Sequence, residues 1–115
     1  KVEDLKQKQK VLALTAKLNK MQIDYEKEQA YYAEISAKAT SINNSANTIT
    51  NEFNTSDASS TVKDAKKVVK ALKEAKAINK KLAKSQKKLR KMEKKIGKIK
   101  ARLDKMNKKI RFVNQ

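Results

Sequence analysis

Apolar residues recur along the second half of the chain in steps of seven. Val68, Ala75, Leu82, Leu89, Ile96, Leu103 and Ile110 form one series. Three residues further on, Ala71, Ile78, Ser85, Met92, Ile99, Met106 and Val113 form the other. Thirteen of these fourteen positions are apolar, and Ser85 is the exception. Seven heptads with two apolar positions each predict a coiled-coil helix over 61–113. The first half repeats the pattern less strictly. Val11, Leu18, Tyr25, Tyr32, Ala39, Ala46 and Phe53 occupy one position, and Leu14, Met21, Glu28, Ile35, Ile42 and Ile49 the other. Only Glu28 breaks this series, so a first helix is expected over 3–53.

Residues 39–62 contain no Lys or Arg and are rich in Asn, Ser and Thr, which are poor helix formers. The heptad nevertheless persists through them to Phe53. Helix is therefore expected here on packing rather than on intrinsic propensity. The break is expected at 54–60, NTSDASS, where cap and turn residues concentrate. Thr61 and Asp64 read as a capping box opening the second helix. The chain is thus a single helical hairpin over 1–115, all-α, with two helices of roughly 75 Å at 1.5 Å per residue.

So short a connection predicts antiparallel helices. A register in which facing residue numbers sum to 117 sets Ile35 against Leu82, Ala39 against Ile78, Tyr32 against Ser85 and Leu18 against Ile99. Several layers then place a large residue against a small one, as close packing requires. The expected seam comprises Leu14, Leu18, Met21, Tyr25, Tyr32, Ile35, Ile42 and Ile49 on the first helix. On the second it comprises Val68, Ile78, Leu82, Leu89, Met92, Ile96, Ile99, Leu103, Met106 and Ile110. In this register Glu28 can pair with Lys88 or Arg90, Lys17 lies near Arg102, and Lys10 lies near Lys109.

Composition narrows the function classes. The chain has 115 residues, 37% of them charged and 4% aromatic, too lean for an ordinary globular core but sufficient for a two-helix seam. Proline is absent and Gly97 is the single glycine, which favours long uninterrupted helices. Without cysteine or histidine there is no disulfide, no thiolate or imidazole metal site and no histidine acid–base chemistry. No carboxylate spacing suggests a metal centre or a catalytic dyad, so no cofactor and no enzymatic activity are expected. No transmembrane segment is expected either. The chain starts at Lys1, as expected of a processed form or a piece of a longer protein, and no signal-peptide pattern is visible. Its Lys, Asn and Ile content associates with AT-rich genomes, bacterial or phage, while secreted and cytoplasmic locations both fit.

Charge is distributed unevenly. Residues 1–38 are net +2, residues 39–62 net −2 and residues 63–115 net +18, which together make the formal +18. Two readings follow. Beside the second seam, Val62, Ala65, Val69 and Leu72 form an additional apolar stripe suited to contact with another copy or another coiled-coil protein. Along the same helix, Lys80, Lys84, Lys87, Lys91, Lys94, Lys98 and Lys105 offer a surface to an anionic polymer such as nucleic acid, teichoic acid or an anionic lipid surface. Only three arginines are present, and residues 54–111 hold no aromatic. Nucleic-acid binding would therefore be directed at the backbone, without base readout or stacking. The leading expectation is a non-enzymatic structural module that self-associates or docks a partner. Non-specific polyanion binding is the alternative.

Overall fold

The computed structural model describes the backbone over residues 2–55 and 62–113, and side chains as far as Ile110. Two helices account for all of it: α1, Val2–Thr55, and α2, Val62–Val113. They pack against each other as an antiparallel hairpin. Helix α1 runs two residues past its expected end, into Asn54 and Thr55. The Thr55 hydroxyl donates to the Asn51 carbonyl at 2.8 Å, so this turn residue satisfies its polar group inside the helix rather than by ending it. The remaining part of the expected turn, and Thr61 of the expected cap, lie outside the described residues. Asp64 does fall in the first turn of α2, where a carboxylate favours the helix dipole.

The same chemistry recurs along the Asn/Ser/Thr-rich stretch of α1. Thr40 donates to the Ser36 carbonyl at 3.1 Å and Thr48 to the Asn44 carbonyl at 3.0 Å. Each hydroxyl is thereby occupied by the preceding turn and does not compete for the ladder. The apolar seam supplies the free energy that propensity lacks.

The hairpin divides into two compact units, each pairing a stretch of α1 with a stretch of α2. The loop-side unit comprises residues 30–87. Its core is Ile35, Ala39 and Ile78, with Ile42 and Leu82 packed against them. These are the residues that a register summing to 117 brings together. Ala46, Ala75 and Ser85 are also buried. Ser85, a small residue in the Tyr32 layer, leaves room for the half-buried ring. The Tyr32 hydroxyl reaches the seam edge and accepts from Gln86 Nε2 at 2.9 Å.

The end unit comprises residues 1–29 and 88–115. Ile96, Ile99 and Leu103 are its buried residues, all from α2. The α1 residues Val11, Leu14, Leu18, Met21 and Tyr25 are half-buried. Tyr25 donates to Glu93, and Glu28 pairs with Lys88 at 3.2 Å, as its seam position suggested. The numbers in these pairs sum to 118 and 116. Within each unit, therefore, the alignment lies within one residue of the expected register. All expected seam positions with described side chains are buried or half-buried.

Candidate interaction surfaces

In a two-helix pair, positions four after the first seam series lie on one flank and positions one before it lie on the other. The polar contacts show which flanks meet. In the loop-side unit, Asn43 and Asn79, each four after a seam residue, exchange amide hydrogen bonds at 3.0 and 3.1 Å. The other described residues of that flank are Ser36 and Thr50 on α1 with Ala65, Leu72 and Gln86 on α2, and none of them is charged. In the end unit, Glu93 on the four-after row takes the Tyr25 hydroxyl, while Lys88 on the one-before row takes Glu28 from the opposite side.

This Glu93 contact alters Tyr25. The hydroxyl proton is held by the carboxylate, partial burial disfavours the phenolate, and the Glu93 charge repels it. Together these raise the Tyr25 pKa above the ordinary phenol value, with an opposing hydrogen bond from Gln29.

The apolar stripe belongs to the loop-side unit. Val62, Val69 and Leu72 are 75%, 52% and 50% exposed, and Ala65 between them is half-buried. Val62, Ala65 and Val69 floor a shallow groove edged by Lys66, Lys70 and Lys73. Spacings of three and four place all four apolar residues on one side of α2. Leu12, Ile23 and Tyr31, which sequence periodicity leaves outside the seam, are likewise exposed on α1.

The seven lysines expected to face an anion, Lys80, Lys84, Lys87, Lys91, Lys94, Lys98 and Lys105, are all exposed. They form two neighbouring rows on α2: Lys84, Lys91, Lys98 and Lys105 at intervals of seven, and Lys80, Lys87 and Lys94 likewise. Sequence reasoning confined to α2 missed the contribution of α1 in the end unit. Lys10 and Lys17 occupy the one-before row of α1, facing the Lys95, Arg102 and Lys109 row of α2. Lys6, Lys20 and Lys27 lie just outside them, as Lys91, Lys98 and Lys105 do on α2. The signal was present in the expected closeness of Lys17 to Arg102 and of Lys10 to Lys109.

Salt bridges cannot neutralise this surface. Lys38 with Glu34 at 3.4 Å and Lys108 with Asp104 at 3.2 Å are exposed pairs within one helix, of small energetic weight. With 30 basic and 12 acidic residues, 18 positive charges remain in excess. Among the described residues no three His, Cys, Asp or Glu side chains gather as metal ligands, and no helix is long and apolar enough to cross a membrane. Comparison of the chain with protein-family models, with curated proteins and with solved structures finds no match to any of the three.

Proposed function

We propose that the protein is a non-enzymatic assembly module that self-associates through the loop-side unit, or docks another coiled-coil protein there. The observation that carries this reading is the exposure of Val62, Val69 and Leu72 in a row beside the seam. Large apolar side chains left wet in a line are stabilised by a covering helix. A second copy offers one at low electrostatic cost, because residues 39–62 carry no cation. Screening of the lysines by salt weakens repulsion between copies while apolar burial remains, so assembly strengthens with ionic strength. Sedimentation at low and high salt tests this. The wild type is expected to assemble, more so at high salt, and Val69→Lys with Leu72→Lys to abolish assembly while leaving the chain helical. A wild type that is monomeric at both salts, or a double variant that still assembles, refutes the reading.

A second reading, non-specific polyanion binding through the lysine-rich α2, is favoured by the excess of 18 cations. Its salt dependence is opposite, because counterion release weakens binding as salt rises. Fluorescence titration with an anionic polymer at two salt concentrations distinguishes the two.

A further inference from the structure

We propose that the end unit carries a binding face for the phosphate backbone of duplex nucleic acid, built jointly by α1 and α2. This inference rests on the polyanion reading and assigns it a place, a second helix and a ligand. The face is the flank opposite Glu93. Lys6, Lys10, Lys17, Lys20 and Lys27 come to it from α1, and Lys91, Lys95, Lys98, Arg102, Lys105 and Lys109 from α2. All eleven are exposed. Glu3 and Asp24 are the carboxylates in these rows. Lys88 borders the face and is engaged by Glu28.

Size, rigidity and side-chain chemistry select the ligand. From Lys6 to Lys27 the helix rises about 32 Å, close to one turn of B-form duplex at roughly 34–36 Å. A duplex presents about one negative charge per 1.7 Å of its axis, so several phosphates come within reach of a straight row of lysines. The cations are almost all lysine, which serves phosphate as a point charge and lacks the fork that reads guanine. Among the described side chains of these rows there is no aromatic to stack on an unpaired base, which disfavours a single strand. Ala13 is the only apolar residue among their described side chains, which offers little to insert below lipid headgroups as an interfacial helix requires. A stiff duplex also loses less conformational freedom on a rigid face than a flexible polyanion does.

The test uses the full chain and a labelled random-sequence duplex of about two helical turns, titrated at several salt concentrations. A single strand of equal length, phosphatidylserine vesicles and polyphosphate are the comparison ligands. Lys10→Gln, Lys17→Gln and Lys20→Gln are combined in one variant. A control variant removes the same charge elsewhere in the end unit, through Lys8→Gln, Arg90→Gln and Lys100→Gln. Circular dichroism verifies that both remain helical.

The wild type is expected to bind the duplex more tightly than any comparison ligand. The α1 variant should weaken binding roughly tenfold or more and reduce the steepness of the salt dependence by about 2–3, near 0.9 per lost phosphate contact. The control should change both far less. Equal losses in the two variants overturn the shared face but leave polyanion binding standing. Vesicles, single strand or polyphosphate matching or exceeding the duplex overturn the ligand assignment. Absence of binding to every polyanion at low salt overturns the inference together with the reading on which it rests.

Discussion

Asn43 and Asn79 close a ring of two amide hydrogen bonds across the hairpin, each donating to and accepting from the other. The pair sits on the flank of the loop-side unit whose described residues are uncharged, one position outside a core in which alanine and isoleucine face each other. Two bonds that require both side chains should act as a unit. A double-mutant cycle with Asn43→Ala and Asn79→Ala is therefore expected to give a coupling of about 0.5–1.5 kcal/mol in urea unfolding, the ordinary net value of exposed or half-buried hydrogen bonds. Strict additivity of the two single variants would show that water replaces the partner without loss.

Burial differs sharply along α2, and stability should follow it. Ile78 is 8% exposed within the core, whereas Leu72, six residues earlier, is 50% exposed. Ile78→Ala should cost about 2–4 kcal/mol, combining lost transfer free energy with an unfilled cavity. Leu72→Ala, measured under conditions in which the chain is monomeric, should cost much less. Comparable losses in thermal unfolding would mean that the stripe is covered within one chain.

Gly97 lies inside α2 on an exposed face, with ordinary helical backbone and nothing within 4 Å of where a Cβ would stand. The glycine thus costs backbone entropy without providing a turn or a close approach. Gly97→Ala is expected to stabilise the helix by about 0.5–1 kcal/mol and to raise the melting temperature. An unchanged or lowered melting temperature would place another body against Gly97 in solution.

The Tyr25–Glu93 contact has a pH signature. Because the folded state raises the Tyr25 pKa, the contact stabilises the folded chain at pH values below the ordinary phenol range. That contribution is lost as pH rises through the raised value, when phenolate would face carboxylate. Alkaline titration followed by tyrosinate absorbance should show a late ionisation that depends on Glu93. Glu93→Gln should bring it back toward the ordinary range, since both the hydrogen bond to an anion and the repulsive charge are removed. An alkaline titration unchanged by Glu93→Gln would exclude the contact.

The seam was legible in the amino-acid sequence because burial between two helices repeats every seven residues, and a side chain's place in that repeat depends on position alone. That is why the full heptad series from Val11 to Ile110 is buried or half-buried, and why a register summing to 117 across a turn near 54–60 predicts the partners Ile35–Leu82 and Ala39–Ile78. The end of α1 was read two residues short because Asn54 and Thr55 are turn formers by propensity, whereas in the helix the Thr55 hydroxyl is satisfied by the preceding turn. The flanks required tertiary structure. Polar and charged side chains carry no burial periodicity, so only the paired backbones decide that Asn43 meets Asn79 and that Tyr25 reaches Glu93, whereas the expected register already set Lys10 near Lys109 and Lys17 near Arg102. A one-helix reading sees lysines on α2. Two helices in register unite them with those of α1, because an antiparallel pair turns the same flank of both helices to the same side.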